Sequence, residues 1–112
     1  MVIYKVLLAS EWQVLRREGR TAGAPVDLAD GFVHFSTIEQ LPETLSRHFA
    51  GENDLMLLAI EDERLGDALK WEPSRGGALF PHLYRDLHLP DVLWAQPLEC
   101  REGVHELPPG LA

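Results

Sequence analysis

An uninterrupted apolar segment near the middle of the chain limits the possible folds more than any other feature. Residues 55–60 read Leu-Met-Leu-Leu-Ala-Ile and lie between Asp54 and Glu61. A short apolar run between charged residues is typical of a strand that is buried on both faces, and this run is far too short to span a bilayer. The sequence therefore predicts a central strand over residues 54–61 that is covered on both sides, and no membrane span.

Patterns on either side of this strand predict an α+β domain. The apolar alternation of Val2–Leu8 predicts a strand, and capping-box patterns that begin at Ser10 and Thr37 predict helices over residues 10–19 and 37–49, with a loop over 20–30 between them. Further strands are expected over residues 31–36, 68–72 and 91–99, with an edge at Pro97, and residues 79–84 are expected to be extended or irregular. Because the helices come early and the strands late, we expect a small, split, mostly antiparallel sheet with two helices in the N-terminal half.

Length and charge limit the class of protein. The 112 residues are enough for one domain, which we place at residues 1–100, and Pro108-Pro109-Gly110 predicts a poorly ordered tail over 101–112. Eighteen acidic against ten basic residues give a net charge of −8, which argues against general nucleic-acid binding and against an anionic membrane surface. The single cysteine, Cys100, excludes a disulfide framework, and the absence of a basic stretch before the first apolar residues predicts a cytoplasmic protein. The sequence leaves the oligomeric state open.

His34 is the first candidate for chemistry. Alternate residues of a strand share a face, so Phe32, His34 and Ser36 are expected to point the same way, just after a loop that contains Asp27 and Asp30. An imidazole and a hydroxyl on one face make a polar position in an otherwise apolar segment. The alternative is a half-buried histidine that is hydrogen-bonded to Ser36 or to a neighbouring strand.

Glu72 is the second candidate, because it ends a predicted strand just before a glycine pair. Gly76-Gly77 would allow the backbone to approach a ligand closely. The alternative is an exposed glutamate before a flexible hairpin, paired with Arg75.

The third candidate is the segment from Phe80 to Arg85. If it is extended, Phe80, His82 and Tyr84 share a face, and their rings could sandwich a planar group such as nicotinamide or a base. The alternative is an aromatic cluster that closes the core. Arg85 could contact a phosphate or form a surface ion pair.

Metal and nucleophilic chemistry have less support. A facial metal site of His34, His82 and Glu72 is possible, but no local spacing of ligands supports it, and we predict no metal. The sequence also lacks the Gly-x-Ser-x-Gly elbow of serine hydrolases.

The chain resembles an uncharacterised bacterial family, the domain of unknown function 952, over about residues 2–98. The residues that carry this resemblance are Ile3-Tyr4-Lys5, Trp12, Val26-Asp27, the stretch Asp-Gly-Phe-Val-His-Phe-Ser-Thr over 30–37, Gln40, Trp71-Glu72 and the stretch Phe-Pro-His-Leu-Tyr over 80–84.

The order of elements also resembles, more distantly, the catalytic lobe of RNA 2′-phosphotransferases, which have the ADP-ribosyltransferase fold. In both, a tryptophan-containing helix is followed by a glycine-containing loop and a strand of the type Val33-His34-Phe35-Ser36. This resemblance implies a split sheet whose cleft holds NAD, with His34 against the nicotinamide-side ribose or amide. The chain lacks the arginine-bearing lobe of those enzymes, and only Glu72 and Tyr84 could replace the glutamate and tyrosine of other ADP-ribosyltransferases.

Three hypotheses for function follow. The first is an enzyme that uses NAD or ADP-ribose as a small nucleotide substrate. In this enzyme, Glu72 stabilises positive charge at the ribose, and His34 and His82 share in catalysis. His34 and Ser36 also contact the sugar or amide, and Phe80 or Tyr84 stacks on the nicotinamide. Arg75 or Arg85 binds the pyrophosphate, and Tyr4 and Asp30 complete the ligand-binding residues. The second is a non-catalytic module that binds a small ligand or a protein on the same fold. The third is a metal-dependent enzyme that uses His34, His82 and Glu72. The sequence does not identify an acceptor substrate.

Overall fold

The computed structural model describes residues 1–111, except the side chain of Arg75, and has an α+β architecture. The strands are β1 (Val2–Leu8), β2 (Arg20–Thr21), β3 (Val33–His34), β4 (Leu55–Glu61), β5 (Leu69–Pro73), β6 (Leu79–Leu83), β7 (Leu87–His88), β8 (Val92–Arg101) and β9 (Val104–Glu106). The helices are α1 (Ala9–Glu18), α2 (Pro25–Asp30) and α3 (Leu41–His48), with short 3₁₀ helices at Asp62–Ala68, Arg75–Gly77 and Leu89–Asp91. No helix of the described chain has the length and apolar character that crossing a bilayer requires.

The strands form a curled antiparallel surface. A four-stranded sheet has the order β1-β4-β8-β9, a three-stranded sheet has the order β3-β6-β5, and β2 pairs with β7. Two backbone hydrogen bonds join the larger sheets: the Tyr4 N–H donates to the Ser36 carbonyl at 2.8 Å, and the Ser36 N–H donates to the Tyr4 carbonyl at 2.9 Å. The second sheet therefore continues from the edge strand β1 and brings β3 and β6 close to it.

The central strand has the position that its sequence predicts. β4 lies between β1 and β8, and the side chains of its residues 57–60 are fully buried. Residues on one face of β1 and β4 pack with Leu15 of α1, and residues on the other face pack with Leu41 and Leu45 of α3. Apolar side chains alternate between these two layers because successive residues of a strand point to opposite faces. The prediction of a strand covered on both sides is confirmed.

A third helix occupies part of the segment that was predicted to be a loop. α2 begins at Pro25, whose missing N–H costs nothing in a first helical turn, and Asp27 accepts a hydrogen bond from the Ala24 N–H at 2.7 Å. Gly31, with a φ of 85°, ends the helix in the left-handed conformation. The prediction of two helices is therefore wrong: the N-terminal half contains three, and the missed one carries both Asp27 and Asp30.

The helix starts also differ from the capping-box predictions. α1 begins before Ser10, because the side chain of Glu11 accepts the Leu8 N–H at 2.8 Å and so takes the capping role. The reciprocal hydrogen bonds between Thr37 and Gln40 do form, at 3.0 and 3.2 Å, but they close a turn, and α3 starts only at Leu41.

The last residues of the described chain include a hairpin. β8 extends to Arg101 and pairs with β9 through a turn at Glu102 and Gly103, both of which have positive φ. Leu107 and Leu111 pack against the core layer that contains Leu41 and Leu45. The segment after residue 100, for which the sequence predicts a tail, thus contributes a strand and two core contacts.

Candidate functional site

Most of the predicted site residues lie on one face of the curled sheet. His34 of β3 lies directly opposite His82 of β6. Tyr4 lies opposite Ser36, and Glu72 of β5 lies opposite Phe80. Directly opposed residues of antiparallel strands point to the same face, and so do alternate residues of one strand. The face therefore carries Tyr4, Ser36, His34, His82, Phe80, Glu72 and Tyr84.

A cavity of about 640 Å³ opens on this face. Six of the predicted residues line it: Tyr4, Asp30, His34, Ser36, Phe80 and His82. Other residues of its wall come from α2 and α3, among them Pro25, Thr44 and Arg47. Glu72, Tyr84 and Arg85 are not part of the cavity wall. The side chain of Arg75, which the sequence also predicts at the site, lies outside what the structure describes.

His34 is held by two carboxylates of α2. Its Nδ1–H donates to Asp27 Oδ1 at 2.6 Å, its backbone N–H donates to the same oxygen at 3.0 Å, and its Nε2 lies 2.9 Å from Asp30 Oδ2. A carboxylate only accepts hydrogen bonds, so the contact with Asp27 places a hydrogen on Nδ1, and the contact with Asp30 is favourable when Nε2 carries a hydrogen as well. The imidazole is thus fixed in orientation, with Nε2 beside the partly exposed carboxylate of Asp30.

Asp27 is the centre of a buried polar network. Its side chain has no solvent exposure, and its Oδ2 accepts hydrogen bonds from the Lys5 ammonium and from the Ala24 N–H, both at 2.7 Å. Burial by itself would raise the pKa of Asp27, but the hydrogen bonds from His34 and the charge of Lys5 outweigh burial and hold this pKa below its ordinary value. The carboxylate is therefore ionised and ties β1, α2 and β3 together.

Gly23 allows this network to form. Its φ of 103° is in the region that favours glycine, and a Cβ atom at this position would collide with the carboxylate of Asp27. The close approach of the backbone at Gly23 is therefore needed for Asp27 to reach the Ala24 N–H.

His82 belongs to a second cluster, with Glu72 and Tyr84. Its Nδ1–H donates to Glu72 Oε1 at 2.8 Å, and the Tyr84 hydroxyl donates to the same oxygen at 2.7 Å. The hydrogen bond from Tyr84, followed by that from His82, lowers the pKa of Glu72 below its ordinary value, and the carboxylate in turn raises the pKa of Tyr84. The side chain of Glu72 is 37% exposed, so its charge remains accessible from solvent.

Phe32 lies between the two histidine clusters. Its ring stacks on His82 with a centroid distance of 4.1 Å and an angle of 25°, and its centroid lies 4.6 Å from that of His34 and 5.1 Å from that of Tyr84. The two imidazole centroids are 5.3 Å apart. The arrangement thus places two carboxylate-bound histidines side by side, which is suited to general acid–base chemistry on one bound molecule.

The remaining predicted residues have other surroundings. Ser36 is buried, and its hydroxyl pairs with that of Thr44 at 2.8 Å. Arg85 forms an ion pair with Asp91, with Nη1 2.9 Å from Oδ2. Burial opposes ionisation of Asp91, but the hydrogen bond from Arg85 overcomes it and the pKa of Asp91 is lowered. Of the two roles that the sequence allowed for Arg85, the structure contains the ion pair.

His34, His82 and Glu72 do not form a compact group of ligand atoms. Within the described residues, one group has three potential ligand atoms within 4.8 Å of one another, formed by Glu61, Asp62 and Glu63 and separate from the cavity wall. The Nδ1 atoms of His34 and His82 are bound to carboxylates, which fixes the orientation of both rings.

Sequence reasoning did not assign Asp27, Lys5 and Phe32 to the site. A signal existed for Lys5, because a lysine within the apolar strand Val2–Leu8 needs a buried partner of opposite charge. Phe32 was placed on the face of His34 but was given no role. For Asp27, nothing in the local pattern distinguishes it from Asp30.

Comparisons with known proteins identify relatives over nearly the whole chain. The profile of a family described as "Protein of unknown function (DUF952)" matches residues 6–95. The X-ray structure of protein CC0527 from Caulobacter crescentus has 48% sequence identity, covers 95% of this chain and 94% of its own chain, and superimposes with a TM-score of 0.92. The solution NMR structure of the same protein has 50% identity, coverages of 92% and 90%, and a TM-score of 0.83. No curated protein matches this chain. The chain therefore belongs to the DUF952 family, whose members are proteins of unknown function.

Proposed function

We propose that this protein is an enzyme that binds a nucleotide of the NAD or ADP-ribose class in the sheet cavity. In the proposed reaction with NAD, the bond between the ribose C1 and nicotinamide breaks and nicotinamide leaves as a neutral molecule. Water or an acceptor group then forms the new bond to C1 and releases one proton. The observation that carries the proposal is the convergence of His34, His82 and aromatic side chains on one cavity of about 640 Å³. A cavity of this volume is within the range of small-molecule sites.

The face supplies the chemistry that cleavage at a ribose carbon needs. Positive charge develops on the sugar as the nicotinamide leaves, and an ionised carboxylate stabilises such charge. Glu72 has a lowered pKa and lies one hydrogen bond from the cavity wall, through His82. His34, with Nδ1 fixed by Asp27, offers Nε2 for contact with a hydroxyl or amide of the ligand.

A ring on the ligand has aromatic neighbours on this face. Tyr4 and Phe80 line the cavity, and Phe32 stacks on His82 beside it. Planar groups such as nicotinamide and adenine bind favourably against aromatic and imidazole rings. This supports a nucleotide over a ligand without a planar group.

The pyrophosphate of the ligand needs a cation, and Arg47 is better placed for this role than Arg85. Arg47 lines the cavity, whereas Arg85 is bound to Asp91 and lies outside the wall. The present partner of Arg47 is Glu43, with Nε 2.7 Å from Oε1, and both side chains are more than half exposed. An exposed pair of this kind is weak, so a pyrophosphate can compete for the guanidinium.

Arg47→Gln is therefore expected to weaken ADP-ribose binding about 10-fold, the effect of losing one charge-assisted contact. Isothermal titration of the two proteins measures it, with Arg16→Gln as a control of equal charge change on exposed α1. If Arg85→Gln weakened binding and Arg47→Gln did not, the assignment of the pyrophosphate to Arg47 would be wrong.

Release of nicotinamide from NAD by the purified protein tests the proposed reaction. A release rate above that of buffer, lost on denaturation of the protein, is the expected result. Binding of NAD without release of nicotinamide would contradict the proposed enzymatic activity. Absence of both binding and release at millimolar NAD would contradict the ligand class as well.

One observation favours the second candidate, a non-catalytic module that binds a nucleotide. Glu72 and Tyr84 are not part of the cavity wall, and they bind each other and His82. In such a module, this carboxylate would only hold His82 in place. The two candidates differ in the effect of Glu72→Gln: an enzyme loses turnover, whereas a binding module has no turnover to lose.

A further inference from the structure

The two carboxylates of α2 contact the two nitrogens of the same imidazole. Asp27 Oδ1 lies 2.6 Å from Nδ1 of His34, and Asp30 Oδ2 lies 2.9 Å from Nε2. The two contacts differ in their surroundings. Asp27 is fully buried, whereas the side chain of Asp30 is 47% exposed and lines the cavity.

The contact with Asp27 is built into the fold. Its two oxygens accept hydrogen bonds from Lys5, from the Ala24 N–H and from two donors of His34. The side chain of Lys5 is only 7% exposed, so its ammonium depends on this carboxylate. Removing Asp27 from His34 would leave several buried donors unsatisfied, and the contact is therefore permanent.

The contact with Asp30 is exchangeable. Within the described residues, the Asp30 carboxylate has His34 as its partner. This contact has little net stability, because the Asp30 carboxylate is 47% exposed and water solvates it when the two groups separate. Nε2 is thus the one position on this ring at which an outside molecule can replace a protein group.

We propose that the two carboxylates act on His34 in opposite ways: Asp27 is a positioning residue, and Asp30 is an internal competitor that occupies Nε2 until a ligand displaces it. A ligand oxygen that binds Nε2 takes the place of Asp30 Oδ2. The choice of ADP-ribose as the ligand depends on the proposed function, whereas the contacts with the ring nitrogens do not.

The charge of the cavity supports a competing role for Asp30. Glu11 and Glu52 also line the cavity, so an anionic ligand such as ADP-ribose meets three carboxylates there, beside the cations of Arg47 and the largely buried Lys5. Asparagine at position 30 has the same shape and removes one of these charges beside the ring that the ligand contacts. The sequence alone predicts that Asp30 binds the ligand. A ligand-binding Asp30 makes Asp30→Asn bind ADP-ribose more weakly, whereas a competing Asp30 makes it bind more tightly.

Titration with ADP-ribose tests the role of Asp30. Asp30→Asn is expected to bind ADP-ribose about 2- to 5-fold more tightly than the unchanged protein, the effect of removing one weak, partly exposed contact with a carboxylate. Asp67→Asn is the matched control, since Asp67 is an exposed aspartate outside the cavity wall and its loss changes the net charge equally. Equal or weaker binding by Asp30→Asn would overturn the competitor role.

Ring-nitrogen NMR shifts of His34 test both residues without a ligand. Asp30→Asn is expected to shift the Nε2 resonance and leave Nδ1 in the protonated range, whereas Asp27→Leu, whose side chain has no acceptor, is expected to move Nδ1 out of that range. Because Asp27→Leu leaves Lys5 buried without a carboxylate, the double variant Lys5→Met with Asp27→Leu tests the same Nδ1 shift in a protein without that unpaired charge. An unchanged Nδ1 resonance in both Asp27 variants would overturn the positioning role.

These outcomes separate the two proposals. If the unchanged protein binds no ADP-ribose, the proposed function and the competitor role of Asp30 both fail, and the positioning role of Asp27 is then decided by the ring-nitrogen shifts. If the protein binds ADP-ribose and the ring shifts do not respond to the substitutions, the proposed function stands and this inference fails.

Discussion

Asp27→Asn should lower the free energy of unfolding by about 3–5 kcal/mol, the usual cost of breaking a buried ion pair. The substitution leaves the Lys5 ammonium, whose side chain is 7% exposed, without the carboxylate that lies 2.7 Å away. It also replaces Oδ2, the acceptor of the Ala24 N–H, with an amide NH₂ group that can only donate. Urea denaturation followed by the fluorescence of the three tryptophans measures the loss.

Two control variants test whether this loss of stability comes from the buried ion pair. Glu18→Gln removes an exposed carboxylate that is 3.5 Å from Arg17 and should cost less than about 1 kcal/mol. The double variant Lys5→Met with Asp27→Asn should recover part of the loss, since it removes the unpaired charge. A loss below about 1 kcal/mol for Asp27→Asn alone would contradict a central role of this network in the fold.

The pH dependence of stability has the sign expected of a carboxylate with a lowered pKa. Because the pKa of Asp27 in the folded protein lies below its ordinary value of 3.8, ionised Asp27 stabilises the fold above about pH 4. This contribution is lost as the pH falls through the lowered folded pKa. The difference in stability between the unchanged protein and Asp27→Asn should therefore be largest near neutral pH and should shrink in acid.

Glu72→Gln should reduce the rate of nicotinamide release about 100- to 1000-fold while leaving the affinity for ADP-ribose nearly unchanged. Glutamine keeps an acceptor for Tyr84 and the shape of the side chain but removes the negative charge that would stabilise the ribose in the transition state. Initial rates with NAD and titrations with ADP-ribose measure the two effects separately.

Glu99→Gln is the matched control for Glu72→Gln. Its carboxylate is 68% exposed on β8, and its loss changes the net charge of the protein equally. A Glu72→Gln variant that releases nicotinamide at the unchanged rate would show that this carboxylate takes no part in the chemistry. A loss of ADP-ribose affinity with no loss of rate would assign Glu72 to binding alone.

The features that could be predicted from the sequence are those that depend on neighbouring residues. The two-residue period of a strand placed Ser36 on the face of His34, and Phe80 and Tyr84 on the face of His82, and the strand register bears this out. The acid-bounded apolar run predicts β4 from a different local pattern, a short continuous apolar segment. These patterns are local, because strand geometry alone fixes the direction of each side chain.

The features that could not be predicted depend on contacts between distant segments. Asp27 reaches Lys5, which is 22 residues away, and no spacing rule connects these positions. Arg85 has Asp91 as its partner because of the turn that follows β6, so it is not available at the cavity. The sequence does not predict α2, because its six residues are too few to show a helical period and its start depends on the Asp27 carboxylate.

Chemical-shift mapping of the ¹⁵N-labelled protein during titration with ADP-ribose tests whether the nucleotide binds in the sheet cavity. Saturable shifts are expected at His34, Ser36, Phe80 and His82, which line the cavity from separate parts of the chain. Shifts confined to residues outside this wall, or no shifts at millimolar ADP-ribose, would contradict it.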